Sequence, residues 1–216
     1  MVQNRLAITS LERFIVRLTP KALNVNTLIM AVALTFGLTG PQAYAQTPPA
    51  KPKQMAATTG LKVSTLDGKF SFTLPDGYVA SAMSPGDAKS GTAGSSGTLY
   101  SSEKSRRVVI VTQLPTPNGV VAGDNDSAFL TQATSDFVTE QSKQTPDFKK
   151  TAQKQVLIKK LGVSRVDSSA TLGGGPTLST TFIAGSGTTL SEVQVVSRAD
   201  DQSGHETMVK RILAGQ

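Results

Sequence analysis

Residues 155–196, QVLIKKLGVSRVDSSATLGGGPTLSTTFIAGSGTTLSEVQVV, decide the fold, because four segments of β-type sequence follow one another here at hairpin spacing. Short glycine-rich stretches separate the segments, and strands joined by such turns pair antiparallel with their neighbours. The predicted strands are residues 155–160, 163–172, 178–184 and 190–196. This stretch therefore predicts an antiparallel meander.

One helix is predicted on either side of the meander. Ser127–Gln144 repeats apolar residues at helical spacing, with Asp124 or Asp126 as its capping residue. Asp200 and Asp201 open a second helix, which ends near the C-terminus. We therefore predict an α+β domain in which helices cover a mostly antiparallel β-sheet.

Three further segments complete the predicted sheet. Asp67-Gly68 precedes the alternating residues Phe70, Phe72 and Leu74, which indicates a hairpin with a type I′ turn. Leu99-Tyr100 and residues 108–111 are also predicted strands, the latter buried on both faces. Residues 84–97 are rich in glycine, serine and alanine and predict a loop.

The first 45 residues have the features of a signal peptide. A basic segment precedes an apolar run at residues 28–38, which is shorter than the roughly 20 residues that span a bilayer. Ala43-Tyr44-Ala45 matches the small-x-small cleavage pattern, so we predict a mature periplasmic chain that begins at Gln46. The alternative is an uncleaved N-terminal membrane anchor. Residues 46–60 predict a Pro/Ala-rich flexible tether, and residues 61–216 a single domain.

Composition excludes several classes of protein. The 216 residues include one histidine and no cysteine, which excludes disulfide scaffolds, thiolate metal sites, cysteine nucleophiles and a lipid anchor on sulfur. Hydrophobic residues make up 38% and charged residues 17%, as in ordinary globular domains rather than disordered or multi-span chains. We predict no catalytic residue, no metal site and no cofactor.

Basic residues are concentrated in residues 143–165, which contain seven Lys and Arg side chains and one acid. The predicted signal peptide carries a further +3, since its removal lowers the net charge from +7 to +4, and the rest of the mature chain is therefore −2. We predict a cationic binding face, for an envelope protein or an anionic phospholipid surface, composed of Lys149, Lys150, Lys154, Lys159 and Lys160. The other interpretation is that these lysines flank an edge strand and discourage aggregation. Nucleic acid is not a predicted partner, because aromatic residues are not interleaved with the bases.

Other candidate motifs have simpler structural interpretations. His205 lies near three carboxylates without the spacing of a metal site, so we expect it on a solvated helix N-terminus. The Gly173-Gly174-Gly175 run lies between two predicted strands and indicates a hairpin loop rather than a phosphate cradle. Two pairs of aspartates are candidates for the paired catalytic carboxylates of a hydrolase: Asp67 with Asp76, and Asp124 with Asp126. Each pair lies in a turn sequence, which already explains its presence.

Residues 66–75, LDGKFSFTLP, resemble the opening of the DcrB family of bacterial cell-envelope proteins. The resemblance continues in the same order through the strand at 108–111, the helix from Ser127, residues 156–162 and Ala199-Asp200-Asp201-Gln202. It implies a Mog1/PsbP-like sandwich, a periplasmic location and a role in envelope integrity or phage adsorption, and it supplies no active site. One difference is that the family resembles lipoproteins with a cysteine at the export signal, which this chain does not have.

Two functional hypotheses follow. The first is an exported, non-enzymatic envelope protein that binds a protein partner or an anionic membrane surface. The alternative is a small-ligand carrier or weak hydrolase with a pocket near the C-terminal helix, beside His205.

Overall fold

A computed structural model describes residues 60–88 and 92–215. The predicted signal peptide, its cleavage site at Ala43, Ala45 and Gln46, and the predicted tether up to residue 59 lie outside these ranges. In chain order, the strands and helices of the described residues are β1 (Leu61–Thr65), β2 (Phe70–Leu74), β3 (Val79–Ala82), β4 (Ser96–Ser102), β5 (Arg107–Pro115), α1 (Ser127–Gln144), β6 (Lys149–Ile158), β7 (Leu161–Leu172), β8 (Gly175–Ser186), β9 (Thr189–Arg198) and α2 (Gln202–Ala214).

The predicted hairpin at Asp67-Gly68 is confirmed. Asp67 and Gly68 have φ values of 53° and 89°, and the Lys69 N–H donates to the Leu66 carbonyl over 3.1 Å. Positive φ at both central residues is the type I′ geometry, which glycine and aspartate adopt at lower cost than most residues. The turn pairs β1 with β2 antiparallel in a separate two-stranded sheet.

The main sheet has seven antiparallel strands among the described residues, in the order β3-β4-β5-β9-β8-β7-β6. The predicted meander is confirmed as β6 to β9, and the pairing of β9 with β5 joins it to the earlier strands. Two details differ from the predictions. β3 was not expected, because all four of its residues are exposed and no buried alternation marks it. The loop expected at 84–97 is shorter, because Ser96 and Gly97 pair with β5.

One face of the main sheet, here called the α2 face, is covered by α2 and the β1–β2 hairpin. Phe70 lies at the centre of this layer. Its ring centroid is 5.9 Å from that of Phe72, in a tilted arrangement, and 6.3 Å from that of Phe182, in an edge-on arrangement. Met208 and Ile212 of α2 pack into the same cluster. The hairpin is therefore held to the sheet by side-chain packing and by side-chain hydrogen bonds, such as that from Ser191 to Thr65, rather than by strand pairing.

The opposite face, here called the α1 face, is partly covered by α1, which packs on β7 and β8. Its buried cluster contains Leu114, Phe137, Val166, Ile183 and Leu190. Of the two predicted caps, Asp126 is the N-cap and accepts the Phe129 N–H over 3.0 Å, whereas Asp124 pairs with Lys69. Both helices begin and end where the sequence predicted.

The helices of residues 60–88 and 92–215 offer no membrane span: neither α1 nor α2 is apolar enough over the required length to cross a bilayer.

Replacing Phe182 with alanine should reduce the free energy of unfolding by about 3–5 kcal/mol, because a fully buried ring is removed where hairpin and sheet meet. Leu157→Ala is the matched control, since Leu157 is 63% exposed on β6 and should change stability by less than about 0.5 kcal/mol. Urea unfolding of the two variants and the parent measures both values. Equal losses would contradict the assigned core.

Candidate functional site

The chain's one histidine is buried, which corrects the expectation of a solvated helix N-terminus. His205 lies in the first turn of α2 with 6% of its surface exposed, because this turn faces the sheet. The sequence interpretation was wrong because the groups that surround the ring come from strands distant in sequence. The signal that was available is the spacing of His205, Met208, Val209 and Ile212, which places the ring on the buried stripe of the helix.

A continuous polar network joins His205 to four adjacent strands. Ser197 of β9 contacts the ring Nδ1 at 3.0 Å, and Thr180 of β8 contacts Nε2 at 2.9 Å. The network extends to Arg107 on β5 and Arg165 on β7, and Arg107 also pairs with Asp201, the N-cap of α2. In spatial order the members are Arg107, Ser197, His205, Thr180, Asp167 and Arg165.

The hydrogen bonds fix the position of the ring proton. Thr180 donates to Asp167 over 2.7 Å, so its oxygen accepts the His205 Nε2–H. Ser197 accepts from Arg107 Nε over 3.1 Å and donates its own hydroxyl proton to Nδ1. A neutral imidazole protonated at Nε2 therefore gives every polar group of the network a hydrogen-bond partner.

The electrostatic environment also favours the neutral ring. Burial lowers the pKa of His205 below its usual value, and the nearby Arg107 and Arg165 guanidinium groups lower it further. The Asp167 and Asp201 carboxylates act in the opposite direction. Because both ring nitrogens are engaged and the ring is buried, this network holds α2 on the sheet. It does not offer an accessible base.

The five lysines of the predicted cationic face lie along one edge of the main sheet. β6 is an outermost strand and carries Lys149, Lys150 and Lys154, while Lys159 and Lys160 form the turn into β7. All five are exposed, and none has a carboxylate partner within residues 60–88 and 92–215. A bulge between Lys150 and Ala152 shifts the register, so that Lys150 lies opposite Ser168 and Lys154 opposite Arg165, on different faces of the sheet. The lysines therefore form a cationic edge, the name used below for these five residues.

The turn of the cationic edge has an unusual backbone. Lys159 has a φ of 57°, in the left-handed region that glycine adopts most easily. Its side chain lies near the end of α2, since a Cβ added at Gly215 would be 3.8 Å from Lys159 Cε. Lys210 and Arg211 of α2 line an open groove of about 510 Å³ with Thr73, Thr207 and Ala214. The β6–β7 turn and the C-terminal end of α2 therefore bring cations from two elements to one end of the molecule.

The remaining motifs have the structural roles predicted for them. Gly173 and Gly174 form the two-residue turn between β7 and β8, with φ values of 58° and 81°. Asp124 bonds Lys69 at 2.7 Å and accepts from Ser186, which leaves it separate from the capping Asp126. In the part of the chain that the structure describes, no three His, Asp or Glu side chains gather as a metal site would require.

Glu192 is the residue that sequence reasoning missed. It lies in β9 on the α1 face, where burial raises the pKa of its carboxyl group to about 7. The sequence did contain a signal: Glu192 is an acidic residue within a predicted strand of mostly valine and small or uncharged polar residues.

Comparisons with known proteins locate the fold rather than a family. No protein-family model matches the sequence, and comparison with curated proteins found no relative. The solution structure of cyanobacterial PsbP (CyanoP) from Synechocystis sp. PCC 6803 matches with a TM-score of 0.54 at 10% identity, covering 78% of this chain and 98% of that one. The domain has a PsbP-like fold. The α+β architecture predicted from the sequence is thereby confirmed.

Two other structures resemble the PsbP-like domain less closely. PA94, a Pseudomonas aeruginosa protein of unknown function, matches with a TM-score of 0.42 at 10% identity, over 73% of this chain and 95% of that one. A Bacteroides thetaiotaomicron VPI-5482 protein matches with a TM-score of 0.41 at 12% identity, over 73% and 48% of the two chains. At such identities only the fold of the CyanoP match is transferred, because one fold supports many functions.

The network predicts a specific pH dependence. His205→Asn should lower the free energy of unfolding by about 1–3 kcal/mol at pH 7.5, because Ser197 and Thr180 lose a buried partner. The difference in free energy of unfolding between parent and variant should shrink as the pH falls below about 6.5. In the parent, His205 of the unfolded chain then binds a proton that the buried ring does not, which lowers the stability of the parent alone. Urea unfolding of parent and variant at several pH values measures the difference.

The same property can be observed directly. The chain has a single histidine, so its imidazole resonance needs no assignment by mutation. An NMR titration of the folded protein should give a midpoint below that of the urea-unfolded chain. A midpoint at or above the unfolded value would contradict the network.

Proposed function

We propose that the chain is an exported, non-enzymatic cell-envelope protein that binds anionic membrane surfaces through its cationic edge. The observation that carries this proposal is the alignment of five exposed lysines without carboxylate partners along β6 and its turn. Each surface lysine near an anionic bilayer contributes up to about 1 kcal/mol of binding free energy. Five together give binding that depends strongly on salt.

Protection of a sheet edge accounts for only part of this pattern. Lys149, Lys150 and Lys154 lie on an outermost strand, where lysine and a bulge both discourage pairing with another chain. Lys159 and Lys160 lie beyond the ladder, where there is no free edge to protect. Lys159 also has a φ of 57°, where glycine would be less strained. The turn lysines therefore favour a binding role.

The envelope location and the family belong to the same proposal. The LDGKFSFTLP motif at residues 66–75 resembles the DcrB family, and the PsbP-like fold is the fold that this resemblance implies. The N-terminal 45 residues supply the export signal, with cleavage before Gln46. A role in envelope integrity or phage adsorption, through a protein partner, is the function that the family resemblance adds.

The alternative of a ligand pocket beside His205 has less support. The ring is 6% exposed and both its nitrogens are hydrogen-bonded within the protein. The groove on α2 is lined by Thr207, Lys210, Arg211 and Ala214, on a different side of the helix. A carrier or hydrolase built on His205 would have to break the network that holds α2.

Replacing Lys154, Lys159 and Lys160 with glutamine should weaken binding to phosphatidylglycerol-containing vesicles by at least about tenfold at low salt. Binding of the parent protein should fall steeply as salt is raised, and vesicles of phosphatidylcholine alone should not be bound. Vesicle co-sedimentation across a salt series measures these affinities.

The matched control removes three exposed cations elsewhere: Lys62, Lys104 and Arg106, each replaced with glutamine. The last two lie in the turn between β4 and β5, at the opposite end of the sheet. The net charge of the two triple variants is equal. If both variants bind anionic vesicles equally well, the effect is one of general charge and the proposal for this edge is wrong. Failure of the parent to bind anionic vesicles would leave a protein partner as the occupant.

A further inference from the structure

Among the described residues, three of the four large aliphatic side chains that are more than half exposed lie at one end of the main sheet. Val120 is 51% exposed, Val121 is 72% exposed and Leu157 is 63% exposed. The two valines lie in the loop between β5 and α1, and Leu157 lies near the end of β6. Single apolar residues scattered over a surface are normal, whereas a group of them at one place marks an interaction site.

Hydrogen bonds bring the loop with the valines next to the end of β6. The Gly162 N–H donates to the Asp124 carbonyl over 2.7 Å, which joins the start of β7 to this loop. Leu157 is the direct partner of Gly162 in the β6–β7 ladder, and a Cβ added at Gly162 would meet the same loop. Because directly opposed residues of a ladder share one face, Leu157 projects beside the loop. The three residues Val120, Val121 and Leu157 are called the apolar corner below.

The backbone of the loop is held in place while its valines face solvent. The Thr116 N–H and both backbone groups of Ala122 form hydrogen bonds with the β8–β9 turn, over 2.7–2.9 Å, and the Thr116 hydroxyl donates to the Val120 carbonyl. Thr116 and Ala122 are each 3% exposed, whereas residues 117–121 between them are all exposed and uncharged. The loop therefore presents its valines in a fixed conformation, on a tip without charge.

The charges beside the apolar corner suit an anionic surface. Lys159 and Lys160 are exposed in the adjacent β6–β7 turn and have no carboxylate partner in the described ranges. The nearby Asp124 carboxylate is paired with Lys69 at 2.7 Å. Asp67 is exposed in the β1–β2 turn at the same end, where the two turn lysines outnumber it. The apolar side chains are thus bordered by a net positive charge.

We propose that the apolar corner inserts into the interfacial region of an anionic bilayer, while Lys159 and Lys160 bind the phosphate headgroups around it. Lysine is depleted from protein–protein interfaces, whereas apolar residues bordered by lysines suit the boundary between headgroups and acyl chains. A bilayer is therefore a better occupant of this corner than a protein. The inference rests on the proposed membrane binding and adds its mode, which is contact at one corner of the molecule.

Contact at the corner distinguishes the lysines of the cationic edge from one another. Lys149 precedes Lys159 by ten residues, which is about 33 Å along a strand. The Debye length is about 10 Å at 0.1 M salt, so Lys149 and Lys150 interact weakly with a bilayer bound at the turn. Replacing Lys159 and Lys160 with glutamine should therefore weaken vesicle binding more than the same change at Lys149 and Lys150. Equal losses would place the whole edge on the bilayer and contradict contact at the corner.

Insertion can be measured at single positions, because the chain contains no tryptophan. With vesicles that contain phosphatidylglycerol, emission of Val121→Trp should shift to shorter wavelength and be quenched by lipids brominated in the acyl chain. Val79→Trp is the matched control, since Val79 is 65% exposed on β3, the outermost strand at the other side of the sheet. Its emission should not change.

Polar substitution tests the apolar contribution without changing the net charge. Replacing both Val120 and Val121 with serine should weaken binding to the same vesicles by at least about tenfold, because apolar surface is no longer removed from water. This loss should remain at high salt, where the contribution of the lysines is screened. Val79→Ser should bind as the parent does. Circular dichroism of each variant establishes that it is folded.

Failure of insertion and failure of membrane binding give different results. If the protein co-sediments with anionic vesicles while the emission of Val121→Trp does not change, insertion is wrong, the proposed membrane binding stands, and the corner is left for a protein partner. If Val121→Trp inserts but the edge variant without Lys154, Lys159 and Lys160 binds like its triple control, insertion stands and the role of the edge is wrong. If the parent does not bind anionic vesicles, both proposals are wrong.

Discussion

The pairing of β9 with β5 unites the strands of the main sheet. It pairs residues 108–115 with residues 189–196, and so joins the first half of the domain to the C-terminal meander. Without this pairing the main sheet would divide into two sets of strands, β3-β4-β5 and β9-β8-β7-β6, each with open edges. With it, Val109, Val193 and Val195 become interior residues, and both faces of one sheet must then be covered.

The two faces of the sheet meet that requirement in different ways. On the α2 face, Phe70, Phe72 and Phe182 fill the layer, and the His205 network pairs the polar groups that remain. On the α1 face, α1 packs mainly on β7 and β8, and Glu192 of β9 is left half-buried.

Much of this fold was predictable because turn sequences, helix caps and apolar periodicity all indicate the same secondary structure. The meander has clear turns, and α1 and α2 have capping aspartates and apolar stripes, so their existence and order follow from sequence. β3 was not predictable, since four exposed residues carry no periodic signal. The role of His205 depends on Thr180 and Ser197, which only strand order brings together. The lysines were identifiable as a group, but their arrangement along an edge required the position of β6 in the sheet.

Site-specific photocrosslinking in cells tests whether the exported chain engages the envelope through the cationic edge. A benzoyl-phenylalanine placed at Leu157, which is 63% exposed on β6, is compared with one at Val79, which is 65% exposed on the opposite outermost strand. Mass spectrometry identifies the captured lipid or protein and the N-terminus of the captured chain. Capture from Leu157 but not from Val79, on a chain beginning at Gln46, is the predicted result. Equal capture from both positions, or an intact N-terminus, would contradict the account.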